Sequence, residues 1–530
     1  MAALVGMPAS LLTFTFLVAI DVTSIVLALS LSNVFLQKSV VLASIMMLGI
    51  GSLLCESADG MPLLLTGRIV QGAGAGGLIV LSYAVYGSTD LEGESRPKFL
   101  AAISLSAAAG TVCGPFIGAA LSDSHHWRWI FRLNIPICVV LGVLVYNTID
   151  TPNAASPPAK LSDLDFVGIM LFLTSVAPLL VGLSLAGSLY GWTEWQVIVP
   201  VASGSAFLLL LIVKELCPSS VPFPLGSRKA SQQPLIGLRL LKGRQGIITF
   251  GGAFCLGLLI YALLFFLPIY YRVVKERSAI VTGVFLLSQT LMMVPCAGVA
   301  VVLMRLHYSC TVLLGWFCTT VGIGLLALLG AERSAASDVS LNLLSGIGIG
   351  ILLPALARSA LEGNGDVREP LNNQARKEDV RESNQVPMVF IFMRYLGSAS
   401  GLVIVGLVFQ RVLRSKLGST KFRSEADNMT KYATTLMYSI REMPSPEDKQ
   451  ILIHVTETAL RTIWLALSLV SLAMFLLSCV MFVVGREKQG RGSQVTGSSA
   501  SNTSRTPPRI EPPFSFEEEE EEKNSKEYGI

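Results

Sequence analysis

The stretch "SAAAGTVCGPFIGAAL", residues 106–121, is apolar and uncharged, yet it carries Gly110, Gly114, Pro115 and Gly118. In a helix interior each glycine costs about 1 kcal/mol and a proline about 3. In water such a segment is a poor helix. In lipid the balance changes, because backbone polar groups must bond within the helix and helices associate by close van der Waals contact. The three glycines stand at four-residue intervals and so line one helix face. That face lets a neighbouring backbone approach closely, and Pro115 kinks the helix at the same place.

The whole chain fits a lipid setting. It has 530 residues, 52% hydrophobic and 14% charged, against about 25% charged in a soluble domain. The apolar residues fall in long runs, and a run of about 18 or more reads as a transmembrane helix. Such spans are read at 11–31, 39–58, 62–87, 99–121, 129–147, 166–187, 196–216, 246–270, 280–306, 310–330, 339–358, 387–410 and 463–484. That makes about thirteen crossings. The net charge of +4 is small and sits in the breaks between runs, which argues against a nucleic-acid partner. The nine cysteines form no C-x-x-C pair and read as small apolar residues in helices. The histidines, His125, His126, His307 and His454, lie at loops or helix ends, so no metal centre is expected. There is no P-loop pattern. "GAGAGG" at 72–77 lies inside an apolar run rather than after a strand, so it does not read as a dinucleotide loop. No enzyme activity and no cofactor are expected. The start, "MAALVGMPAS", lacks Lys and Arg, so a secretory signal peptide is not expected.

Four regions follow from this reading. Residues 1–150 form an N-terminal helical bundle, 151–245 linkers and two extra helices, 246–484 a C-terminal six-helix bundle, and 485–530 a disordered tail ending in a Glu-rich run. The long segment 411–462 reads as a charged loop that is partly helical. Most loop Lys and Arg fall on the side that also holds the tail, so the C-terminus is expected in the cytoplasm. The sequon at Asn428 then lies outside, where it can carry glycan, and the one at Asn502 lies inside.

Several motifs resemble the major facilitator superfamily, specifically the 14-spanner drug:H+ antiporters of fungi. "GTVCGPFIGAAL" resembles the antiporter motif G-x-x-x-G-P-x-x-G-G, with Ala119 in place of the last glycine. "HHWRWIFRLNIPI", 125–137, resembles W-R-W-I-F-x-x-N-x-P-I. "LLLTGRIVQGAGAGG", 63–77, resembles R-x-x-Q-G-x-G through Arg68, Gln71, Gly72 and Gly74. "LLFFLPIYYRVVKERSAIVTGVFLL" resembles Y-L-P-I-Y-F-Q-x-V-x-G-x-S-x-x-x-S-G-x-x-L-L, and "FIFMRYLGSASGLVIVGLVFQ" resembles F-F-R-x-L-G-G-x-x-G-x-x-I-x-G-x-x-F-Q. The resemblance implies an all-α membrane fold of two six-helix bundles with two extra central helices. It also implies proton-coupled export of drugs, toxins or secondary metabolites by alternating access, as in multidrug resistance pumps.

One region departs from the pattern. "FLVAIDVTSIVLALS", 16–30, resembles the family's first helix, and "LSNVFLQKSVVLA", 31–43, resembles the loop after its second. The second helix is missing between them. A reversed first helix, a first segment that does not span, or an incomplete gene model would each account for this; a gap bounded by two intact motifs points to the last. The loop is also altered, with Asn33, Leu36 and Gln37-Lys38 where the family has Asp, Gly and a basic pair. Its usual charge network cannot form.

Intramembrane charges are functional candidates by default, since each costs about 2.5–3.5 kcal/mol to insert. Asp21 and Arg68 are the two such residues, read as a proton carrier and its cationic partner or anchor. Tyr83, Tyr261, Phe265, Trp316 and Phe390 are candidates to line an apolar cavity. The expected partners are a lipophilic small molecule, protons and the bilayer, with the chain acting as a monomer. The expected site is the plasma membrane, with the vacuolar membrane as the alternative. Two other readings keep the fold: a non-transporting sensor or decayed copy, favoured by the altered loop, and an importer of siderophores or nutrients.

Overall fold

The computed structural model describes residues 37–87, 127–148, 166–186, 190–216, 246–362, 373–423 and 445–500, with scattered positions between 106 and 121. Among these residues there is no strand beyond a single bridge between Ala186 and Tyr190. The helices are α1 (Gln37–Glu56), α2 (Met61–Gly87), α3 (Trp129–Thr148), α4 (Phe166–Leu185), α5 (Trp195–Leu216), α6 (Gly252–Ile269), α7 (Ala279–Leu306), α8 (Tyr308–Leu326), α9 (Ala335–Glu362), α10 (Asn373–Leu417) and α11 (Pro446–Ala500). Ten of the described helices are long and apolar enough to cross a membrane. The remaining one, α2, has 27 residues and carries Arg68, Gln71 and a run of glycines in its apolar sequence. The span read at 11–31 lies outside the described residues, and that at 99–121 almost entirely so.

Residues Met1–Cys479 form one compact unit and Val480–Ile530 a second. The first contains the packed helices. The segment read as a loop at 411–462 is helical at both described ends: α10 runs on to Leu417, and α11 starts at Pro446. α11 also includes residues 485–500.

Helices α1, α2 and α3 pack together, α4 packs on α5, α6 on α10, and α9 on both α7 and α8. Apolar side chains on the outer faces, such as Met46 and Ile50 of α1, Val139 and Val143 of α3, and Leu465 and Leu469 of α11, are exposed at three- or four-residue spacing. Lipid would cover them.

Small residues set the crossings. A Cβ on Gly74 would overlap the Leu48 backbone, and one on Gly67 would lie 2.7 Å from Cys55 Sγ. The same holds where α6 meets α10: Gly257 faces the Arg394 carbonyl, Gly397 the Phe254 carbonyl, and Gly401 Leu258. In α9, Gly346 and Gly350 lie on α7 at Gln289 and Met293, while Gly348 lies on α8 at Thr319. Close backbone approach therefore explains Gly74, Gly397 and Gly401 of the motifs. In the opening stretch, Ser106, Gly110, Gly114, Ile117, Gly118 and Leu121 are all helical. A Cβ on Gly110, Gly114 or Gly118 meets nothing within 4 Å among the described residues. Pro115 lies outside them.

α6 is bracketed by two π-helical turns, Ile247–Gly251 and Tyr270–Val274. The second follows Pro268, which has no N–H to give the ladder. A π turn rotates the side chains after it, and such turns are frequent at functional sites. Tyr270 and Tyr271, which open this turn, are both buried.

The α6–α10 crossing gives a stability prediction. Gly397→Val should prevent α6 and α10 from closing and cost more than about 3 kcal/mol, in the range of severe overpacking. Gly298→Ala, where a Cβ meets nothing within 4 Å, should be neutral. Thermal unfolding of both variants in detergent, followed by circular dichroism, checks this; equal unfolding temperatures would refute the crossing.

Candidate functional site

Two polar networks lie inside the apolar helices. In the first, Ser52 of α1 sits at the centre. Its hydroxyl donates to the Leu48 carbonyl (2.8 Å) and accepts from Gln71 Nε2 (3.2 Å) and Asn134 Nδ2 (3.3 Å). Gln71 Oε1 in turn accepts from Arg68 Nη1 (3.2 Å). The Arg68 guanidinium also lies 4.5 Å from the Phe131 ring centroid, in cation–π position. Ser52 thus uses its one proton and both lone pairs. The network joins α1, α2 and α3 through residues from two separate sequence motifs. At one end of the same helices Arg132 Nε pairs with Glu56 Oε1 (2.6 Å), and Arg128 donates to the Glu56 and Ala58 carbonyls (3.1 and 2.9 Å). At the other end Lys38 donates to the Tyr146 carbonyl near the end of α3 (2.8 Å). There a cation suits the helix dipole.

The second network lies where the turn after α6 meets the start of α9. Lys275 Nζ pairs with Asp338 Oδ2 at 3.2 Å, with side-chain exposures of 6% and 2%. Lys275 also donates to the Ala331 and Arg333 carbonyls (3.2 and 2.7 Å). Asn342, one turn beyond Asp338, donates to Tyr271 Oη (2.7 Å) and to the Phe285 carbonyl (3.1 Å). Tyr270 Oη donates to the Gly330 carbonyl (3.0 Å), and Tyr271 stacks on Phe285. Gln289 Nε2 of α7 donates to Ser345 Oγ (3.1 Å). Asp338 is the one charged residue among the described residues that is buried as a whole.

The next residue after Lys275 is unusual. Glu276 has φ 53°, and it is the one non-glycine residue with positive φ among the described residues. In the resembling motif this position belongs to glycine. Glu276 is tied to Lys449 of α11, whose Nζ lies 2.7 Å from Oε1.

The expected site residues are distributed as follows. Arg68 is in the first network. Trp316 and Phe390 are buried at 0% and 2% exposure, while Tyr261 and Phe265 are partly buried against the same extended core. Tyr83 lies on α2, but its side chain is not among those described. Asp21, Asn33 and Asn428 lie outside the described residues, as does the gap in the motifs near residue 31. The Lys275–Asp338 pair is absent from the sequence-based candidates. Asp338 falls one residue before the span read at 339–358. The signal that could have found it is Asp338, Asn342 and Ser345 at helical spacing, all on one face at the head of an apolar run.

Comparisons with known proteins bear on the family and the fold. The sequence profile of the Major Facilitator Superfamily matches residues 3–168. The MFS transporter L2 of a Phoma species is 30% identical over 441 residues, 82% of this chain and 69% of that one. The efflux pump FUS6 of Gibberella fujikuroi is 27% identical over 445 residues, 82% of this chain and 75% of that one. A further fungal relative is matched over 56% of its own length. The crystal structure of the human organic anion transporter MFSD10 (TETRAN) shares the fold with a TM-score of 0.51 at 15% identity, covering 89% of this chain and 83% of that one. The chain belongs to the major facilitator superfamily and is a multi-pass membrane protein.

Ser52→Ala tests the first network. It leaves the Gln71 and Asn134 amides without their shared acceptor, at a cost of about 1–3 kcal/mol. Ser57→Ala, an exposed hydroxyl bonded only within its own helix, is the control. The expected result is a lower unfolding temperature for Ser52→Ala alone.

Proposed function

We propose that this protein is a proton-coupled exporter of lipophilic small molecules: drugs, toxins or secondary metabolites. The observation that carries the reading is the charge-poor interior. Asp338, paired with the Lys275 side chain, is the one charged residue buried as a whole among the described residues, in a core otherwise made of aliphatic, aromatic and uncharged polar side chains. Such an interior suits a lipophilic solute, because it offers little to replace the hydration of a sugar or an ion. The direction of transport is supported by the efflux pump among the relatives.

In this reading two bundles rock about a midplane site. Tyr261 and Phe265, one turn apart on α6 and partly buried, are the first aromatic contacts for substrate, with Tyr83, Trp316 and Phe390 meeting it in other conformations. Gly110, Gly114, Pro115 and Gly118 form the antiporter face that closes against a neighbour in part of the cycle. Asp21 carries the proton and Arg68 anchors the bundle beside it. The protein works as a monomer in the plasma membrane, with Asn428 outside.

The test is efflux of a fluorescent lipophilic substrate from vesicles, with a pH gradient imposed and then collapsed. Wild type should concentrate substrate only while the gradient stands. Asp21→Asn should still bind substrate but no longer concentrate it. Wild-type efflux that ignores the gradient would overturn proton coupling. A variant that follows the gradient as wild type does would make Asp21 structural.

A further inference from the structure

The C-terminal half is two groups of helices rather than one. α6 packs extensively on α10, and α9 on α7 and α8, whereas α9 and α7 touch α6 only sparsely. Polar ties cross this seam near its two ends. At one end Thr249, in the turn before α6, bonds Ser359 of α9. At the other end are the Lys275–Asp338 pair and the Asn342–Tyr271 and Tyr270–Gly330 bonds.

The second end is unsaturated. Asp338 Oδ1, Asn342 Oδ1 and Gln289 Oε1 are buried with no hydrogen-bond partner among the described residues. All three are acceptors, all belong to residues at most 1% exposed, and Asp338 and Asn342 are one turn apart on the same face of α9. Buried acceptors without donors are costly, and two of these lie a turn apart on α9 beside the Lys275 contact. A metal cation does not fit, because the Lys275 ammonium already holds the cation position against Asp338 Oδ2. No cluster of three His, Cys, Asp or Glu exists among the described residues. A proton does fit. Placed on Asp338 Oδ1, it turns one orphan acceptor into a donor a turn away from the next, Asn342 Oδ1.

We infer that Asp338 is a proton-exchange site and that its protonation loosens the seam between the α6–α10 pair and the α7–α8–α9 group by removing the ion pair that crosses it. Deprotonated Asp338 holds Lys275 across the seam. Protonated Asp338 turns to its own helix, and Lys275 is left across the seam with the uncharged Ala331 and Arg333 carbonyls alone. The groups facing Asp338 are Lys275, Arg333 and Arg277, with Tyr270 and Tyr271 behind them; Glu457 faces Tyr270. Glu276 is occupied by Lys449. Service of this site in the transport cycle rests on the proton-coupled reading above.

Two readouts need no transported substrate. The first treats the wild-type protein in detergent with dicyclohexylcarbodiimide, which adds to protonated carboxyls in apolar surroundings, and locates the adduct by peptide mass spectrometry. Asp338 should be labelled severalfold more in acid than in alkali. The second is amide hydrogen exchange of segments 270–278 and 335–345, corrected for intrinsic rates. Both segments should exchange severalfold faster in acid for wild type. Asp338→Asn, which keeps the size and removes the charge, should exchange fast at every pH. Label on Asp338 that is absent or independent of pH would overturn the inference, as would an Asp338→Asn variant with wild-type pH dependence. The outcomes also separate the two readings. A wild type that passes both tests but ignores a pH gradient in the efflux assay refutes proton-coupled export alone. A wild type that follows the gradient but fails both tests refutes the Asp338 site alone.

Discussion

In lipid every backbone N–H and C=O must find its partner within the helix, and the rest of this structure follows from that constraint. Once helices are complete in themselves, apolar side chains no longer drive them together, because lipid is as apolar as leucine. What remains is contact area, and contact area is greatest where backbones touch. Hence the crossings of α1 with α2, α6 with α10, and α9 with α7 and α8 run through glycines that a Cβ would clash with. Glycine is a poor residue for a helix in water. Here lipid removes the alternative of an unfolded, hydrated backbone, and the crossing benefits from the missing side chain.

The same absence of water divides the two polar networks. Ser52 is saturated: its hydroxyl gives one bond and takes two, so α1, α2 and α3 are held in one arrangement. Asp338, Asn342 and Gln289 are not, since each keeps an oxygen with no partner among the described residues. A saturated network specifies one state, whereas a partly satisfied one is high in energy and invites a second. By this argument α1–α3 are the rigid element, and the seam beside α6 is where a change of charge has the most to alter.

The spans were legible because hydropathy reads directly as length in a bilayer. Ten of the expected runs coincide with apolar helices, and Arg68, Gln71 and Asn134, which stand within two of the motifs, meet in one network. Their meeting point was not legible, because Ser52 carries no motif and hydrogen bonds across three helices leave no trace in spacing. The glycines of 106–121 signalled close approach, yet the tight crossings described here lie at Gly74, Gly257, Gly397 and Gly346. Spacing shows that a face is smooth and is silent about which conformation fills it. Asp338 escaped because charge is used to mark where a span ends, so a buried acid in a first helical turn is read as the boundary itself.

The strain at Glu276 sits one residue from Lys275, and magnitudes show that it is not cancelled locally. A non-glycine residue in the left-handed region costs about 1–2 kcal/mol. The ion pair with Lys449 is partly exposed, and such pairs contribute about 0–1 kcal/mol. The balance must come from elsewhere in the surrounding structure. The nearest strong contacts are those of Lys275 itself, with Asp338, Ala331 and Arg333. The pair that closes the seam therefore also holds the strained turn in place. Neutralising Asp338 removes one of the three contacts that hold the turn, so a local change of charge and the strain at Glu276 are linked at the end of the most buried helices.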